Sequence, residues 1–139
     1  MLKNALPGFI LFFSIQLFSQ DLALSVTGYD MHIELNWTAF PQADRYQVWR
    51  KGPGEKIYSV VTTTRDLRLQ DWTGRIDASS EPYFYFIRAL NLPGATLFAS
   101  DTLSSFVFEM TDDQFLDMVQ RYTFRYFWEY AHPLSGMSR

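Results

Sequence analysis

The chain has 139 residues, a formal net charge of −3, 47% hydrophobic and 18% aromatic residues, and no cysteine. That composition suffices for a packed core and excludes intrinsic disorder, while the mild charge excludes the basic footprint of a nucleic-acid binder and a polybasic membrane patch. The lack of cysteine excludes disulfides, thiolate metal sites, a cysteine nucleophile and a lipoprotein anchor.

Residues 1–19 read as a secretory signal: Lys3 supplies the positive start, Leu6 to Phe18 the apolar run, and Ser19 a small residue before the cut. A bilayer-spanning helix needs about 20 apolar residues. This run is shorter and carries Pro7 and Gly8, so an uncleaved anchor is the less favoured reading. The expected location is secreted or periplasmic, with no stable membrane span once the signal is removed.

Residues 20–109 read as short strands separated by turns. Leu22, Leu24 and Val26 alternate, and Gly28-Tyr29-Asp30 reads as a turn. His32 to Thr38 alternates cleanly, with Ile33, Leu35 and Trp37 on one face and His32, Glu34 and Asn36 on the other. That polar face is expected to meet solvent, which makes His32 a surface residue rather than a metal ligand or base. Tyr46, Val48 and Arg50 alternate with Gln47 and Trp49, and Gly52-Pro53-Gly54 marks a hairpin. Ile57 to Thr63 and Leu67 to Leu69 give two more strands, and a loop opens at Asp71. Pro82 sits where a missing N–H does least harm. Tyr83, Tyr85, Ile87 and Ala89 then share one face, and a single last strand runs from Ala95 to Phe108. About seven short strands in some ninety residues predict an immunoglobulin-like sandwich.

The Leu35-Asn36-Trp37 core tryptophan, Tyr46 to Arg50 in the third strand, and Tyr83 at a tyrosine-corner position resemble a fibronectin type III domain. Trp49, Phe84 and Phe86 are expected to point away from the core. Such aromatics pack on a neighbouring domain or stack on sugar rings.

From Thr111 a helix begins. Thr111 and Gln114 form a capping box, Met110 and Phe115 are placed as a hydrophobic staple, and Asp112 and Asp113 suit the positive end of the helix dipole. Pro133 disfavours helix at His132, so the helix is expected to reach Tyr130 or Ala131. Phe115, Val119, Tyr122, Tyr126 and Tyr130 follow the helical period. Leu116, Phe124, Phe127, Trp128 and Ala131 widen the stripe almost round the helix. Asp113, Asp117, Arg121, Arg125 and Glu129 form a slanting charged ridge, expected to pair internally as Asp117–Arg121 and Arg125–Glu129. A helix apolar nearly all round belongs inside a larger helical assembly.

The stretch Phe115 to Gly136, with Phe124-Arg125-Tyr126-Phe127-Trp128-Glu129-Tyr130-Ala131-His132-Pro133-Leu134-Ser135-Gly136, resembles the opening of the catalytic domain in bacterial glycoamylase-like glycoside hydrolases. Ser138 stands where that pattern has alanine. The family includes secreted endo-β-1,2-glucanases. The resemblance implies an (α/α)6 barrel, β-glucan as the polysaccharide partner, and residues 110–139 as the first helix of a truncated catalytic domain. Two carboxyl groups must flank a glycosidic bond for its hydrolysis. No such pair is expected here, so no catalytic residue is assigned and the chain alone is expected to be inactive. His132 is the candidate substrate-binding residue at a barrel rim, or else a cap on the helix C-terminus. No cofactor or metal motif is present. The alternative is a self-contained secreted binding or adhesion module whose helix packs on the sandwich. A third reading has the helix dimerising to cover itself.

Overall fold

The computed structural model describes residues 21–74 and 81–130. The signal-like segment and His132 lie outside them. Eight strands are followed by one helix: β1 (Leu24–Gly28), β2 (His32–Trp37), β3 (Arg45–Lys51), β4 (Ser59–Thr64), β5 (Arg68–Trp72), β6 (Tyr83–Leu90), β7 (Thr96–Ala99), β8 (Leu103–Ser105) and α1 (Asp112–Tyr130). One sheet has the order β1-β2-β5, and the other runs β4-β3-β6-β7 with β8 also paired to β6. All pairings are antiparallel. This is an immunoglobulin-like sandwich with the strand arrangement of a fibronectin type III domain, plus one C-terminal helix.

The core follows the alternation. Ile33, Leu35 and Trp37 from one sheet meet Tyr46, Val48, Tyr85, Ile87 and Ala89 from the other, all buried. Trp37 packs against Tyr46 with ring centroids 5.9 Å apart. Tyr83 is buried as well, under the Arg50 guanidinium. The hydroxyl of Tyr46 accepts a bond from the Phe40 N–H at 2.8 Å, tying β3 to the loop before it.

Three boundaries differ from the sequence reading. Gly28 belongs to β1 rather than to a turn, and a Cβ there would stand 1.8 Å from the Phe106 carbonyl oxygen. Only glycine permits that approach of the two chain segments. The run from Ala95 to Phe108 is two strands, because Ser100 breaks it. Its N–H donates to the Ile87 carbonyl and its hydroxyl accepts from the Ile87 N–H, so the chain kinks between β7 and β8. Last, β5 continues through Asp71 and Trp72, where a loop had been expected.

Asp71 extends the strand because its side chain points inward. It is 6% exposed and takes hydrogen bonds from Arg50 Nη1, at 2.9 and 3.1 Å, and from the Tyr85 hydroxyl at 2.7 Å. Burial, then the neighbouring Asp71 charge, pushes the Tyr85 hydroxyl far above its ordinary value, so it stays a donor. This polar bridge joins β5 to β3 and β6 across the sandwich. The outer face of the larger sheet is also self-contained. Trp49 and Phe86 stack at 5.7 Å, Arg88 lies 4.7 Å over Trp49, and Lys51 lies 4.6 Å over Phe84. The outward aromatics are thus covered by one another and by basic side chains.

Removing one partner of a buried ion pair is strongly destabilising. Asp71→Ala is expected to lower stability by about 3 kcal/mol, the low end for such pairs because Arg50 is partly exposed. Tyr85→Phe, which leaves the pair intact, is expected to cost about 1 kcal/mol. Urea midpoints at unchanged slope measure both.

Candidate functional site at the helix–sheet junction

The outer face of β1-β2-β5 carries α1. The capping box forms as expected: Thr111 N–H donates to Gln114 Oε1 at 2.9 Å, and Gln114 N–H to Thr111 Oγ1 at 3.3 Å. The helix then presents Met118, Arg121, Tyr122, Arg125 and Glu129 to the sheet, three or four residues apart and so on one side. Arg125 grips Glu34 with two bonds, at 3.0 and 3.3 Å. Arg68 grips Glu129 with two more. Arg121 donates to the Tyr29 hydroxyl at 3.2 Å, and Tyr122 Oη lies 2.7 Å from His32 Nε2.

These contacts correct two expectations. His32 is 1% exposed, not a surface residue. Its ring sits between Tyr29 and Trp72, at centroid distances of 4.7 and 4.6 Å. The alternation did place it on the polar face of β2, but the helix covers that face. Likewise Arg125 and Glu129 do not pair with each other. Each reaches across to an opposite charge on the sheet, where a two-point, partly desolvated contact outcompetes an exposed pair within the helix. The Asp117–Arg121 pair does form, at 2.9 Å, and is well exposed.

The helix is therefore docked by its polar ridge. Met118 is its only buried residue among those described. Phe115, Leu116, Val119, Phe124, Tyr126, Phe127, Trp128 and Tyr130 are exposed, with Trp128 at 77%. The sandwich covers one side of the helix and leaves most of the aromatic surface uncovered. No helix among the described residues is long and apolar enough to cross a membrane.

The buried cluster has defined protonation. Burial lowers the His32 pKa, partly opposed by Glu34 and Asp30. Its Nδ1 is buried with no hydrogen-bond partner, so a second ring proton would find no acceptor. Burial alone would raise Glu34, but the bonds from Arg125 and Asn36 outweigh it and hold the carboxyl below its ordinary value. Glu129 is likewise lowered, chiefly by Arg68. Burial and the Glu34 carboxylate push the Tyr122 hydroxyl up, so it remains protonated.

Beside these contacts an open cleft of about 910 Å³ lies between β2, β5 and the second half of α1. Three carboxylates line it: Glu34, Asp66 and Glu129. A glycosidase acid needs a raised pKa. Glu34 and Glu129 are both lowered, the opposite of what that role needs. No group of three metal-ligating side chains occurs among the described residues.

No protein-family model matches the chain. The sandwich-and-helix architecture is nevertheless shared with larger polysaccharide-acting enzymes. The chain is 30% identical over 130 residues to the exo β-1,2-glucooligosaccharide sophorohydrolase (non-reducing end) of Parabacteroides distasonis, a match covering 91% of this chain and 18% of that protein. It superposes on the crystal structure of a β-1,2-glucanase from the same organism with a TM-score of 0.67 and 31% identity, covering 86% of this chain and 17% of that one. The pectate lyase PelI of Erwinia chrysanthemi matches with a TM-score of 0.50 at 13% identity, over 61% of this chain and 27% of that one, which shows the fold alone. The chain thus spans less than a fifth of the β-1,2-glucan-hydrolysing relatives it resembles.

The sequence reading missed His32, Glu34, Arg68 and Tyr122 as an interface. The one available signal was complementary charge: an acid on β2 and a base on β5 facing a ridge that carries both signs.

Glu34→Gln leaves Arg125 half-buried without its counter-ion and is expected to lower stability by about 2 kcal/mol. Glu129→Gln, in a more exposed pair, is expected to cost under about 1 kcal/mol. Urea unfolding compares them. The folded-state pKa values of His32 and Glu34 are both depressed, so each group's contribution is complete above its ordinary value and is lost as pH falls. The His32 contribution fades on acidification below 6.5 and the Glu34 contribution below 4.5. NMR titration of the His32 imidazole is expected to place its transition below 6.5, and a transition above it contradicts the neutral buried ring.

Proposed function

We propose that this chain is the accessory sandwich, with the first catalytic-domain helix, of a secreted glycoside hydrolase acting on β-1,2-glucan. One observation carries the reading: the likeness to the Parabacteroides enzymes runs through 91% of the chain, so it takes in sandwich and helix together rather than a sandwich alone. The exposed aromatic side of α1 supports it, because a surface of that size suits the neighbouring helices of an (α/α)6 barrel. In this reading residues 1–19 direct export, 20–109 form the accessory domain, and 110–139 begin the barrel. His132, outside the described residues, is the candidate substrate-binding residue of this reading.

The sandwich is structural here, anchoring α1 by its polar ridge so that the apolar sides face the barrel. The Glu34 and Glu129 carboxyls are held low, the opposite of what a general acid needs, which supports an anchoring rather than a catalytic role for them. Purified chain is expected to release no reducing ends from β-1,2-glucan. The product of the whole reading frame that contains it is expected to release short glucooligosaccharides. Hydrolysis by the chain alone, or a whole product inert on β-1,2-glucan, overturns the proposal.

A further inference from the structure

One residue step round α1 from the face that meets the sheet lies a face better suited to burial. Met118, Tyr122, Arg125 and Glu129 meet the sheet, and of these Met118 alone is aliphatic. Val119 and Tyr130 directly follow Met118 and Glu129 in sequence, and Phe115 stands four residues before Val119. This stripe is therefore turned about 100° from the docked ridge. All three of its residues are exposed. Hydrophobic burial alone favours the stripe as the docking face, and a roll of about 100° would bring it onto the sheet.

The sheet opposes that roll through Glu34, which is 8% exposed on the outer face of β2. Arg125 donates two bonds to its carboxylate, and Asn36 donates a third at 3.0 Å that holds it in place for Arg125. After a roll Arg125 would turn away, and Glu34 would lie under an apolar stripe as a bare charge. Burying an unpaired charge costs far more than losing a neutral contact. Arg68 and Glu129 weigh less, because their side chains are 40% and 34% exposed and water can replace the partner of each.

We propose that Glu34 and Arg125 are positioning residues whose pairing selects the rotation of α1 on the sandwich, keeping the aromatic stripe outward, rather than fastening the helix to it. Only the consequence for hydrolysis rests on the β-1,2-glucan reading above, in which the outward stripe meets neighbouring helices of the barrel. Removing one member of a buried ion pair is destabilising, whereas replacing both by apolar residues is often neutral or stabilising. Glu34→Met combined with Arg125→Met is therefore expected to melt as the parent does while losing the rotation. The reversed pair, Glu34→Arg with Arg125→Glu, is expected to keep it. The chain has no cysteine, so spin labels at Gln120→Cys on α1 and Thr63→Cys on β4, both exposed positions, report the rotation by pulsed dipolar distance measurement. A roll of about 100° carries a side-chain tip about 8 Å round a helix some 10–12 Å across. The parent and the reversed pair are expected to share one narrow distance, and the apolar pair to shift or broaden it by several ångström. If the apolar pair keeps the parent distance, if it melts well below the parent, or if a folded reversed pair loses that distance, the pair is a fastening and the proposal falls. Should the reversed pair not fold, the apolar pair decides alone. In the product of the whole reading frame, the apolar pair is expected to lower β-1,2-glucan hydrolysis and the reversed pair to restore it. A shifted distance with hydrolysis unchanged leaves the rotation standing and removes α1 from the barrel assignment.

Discussion

The Glu34 carboxylate is the constraint on which the helix–sandwich arrangement turns. It sits on the outward face of β2, is 8% exposed, and receives hydrogen bonds from Arg125 and Asn36. A carboxylate so far from water is tolerable only with such partners. The helix that removes the solvent also delivers the guanidinium that replaces it. His32, two residues away on the same face, follows the same logic with a neutral ring: Tyr122 covers it and supplies the bond to Nε2. Covering and compensation come from one element, so docking specifies both position and rotation of α1.

A second consequence concerns the direction of the helix's apolar surface. Helices usually bury their apolar stripe and expose their charges. Here the charged ridge faces the sheet, and all of the large aromatic residues in the second half of the helix except Tyr122 are exposed. A polar contact of this kind is orientation-specific because charge-assisted pairs have narrow geometry. An apolar contact would tolerate slippage. The sandwich therefore behaves as a gauge that sets the angle of α1, leaving the hydrophobic surface to whatever packs next. The Asp71–Arg50–Tyr85 bridge serves the same end one layer down, since it locks β5, and with it Arg68, against the other sheet.

Much of the fold was legible because it depends on period. The alternation around Trp37 and Tyr85 predicts the two inner faces, and Thr111 with Gln114 predicts the helix start. Local chemistry decides both. The breaks in that reading have local causes of another kind. Ser100 interrupts an otherwise continuous β run through hydrogen bonds to Ile87, a partner distant in sequence. Gly28 reads as a turn, yet its role is to let Phe106 approach.

The candidate site was far less legible. Period-two alternation divides a strand into two faces but does not say whether the second face meets water. Alternation alone therefore predicts an exposed His32. The pairing of Arg125 with Glu129 satisfied helix spacing, and only the juxtaposition of α1 with β2 and β5 revealed better partners for both. By itself, the sequence determined a cysteine-free sandwich, a capped aromatic helix and a resemblance to glucan hydrolases, because composition, period and motif are properties of neighbours along the chain. Which face of the helix docks, which strand face is buried and where a cleft opens were decided by tertiary structure alone. Each depends on desolvation and charge pairing between residues 61 to 92 positions apart.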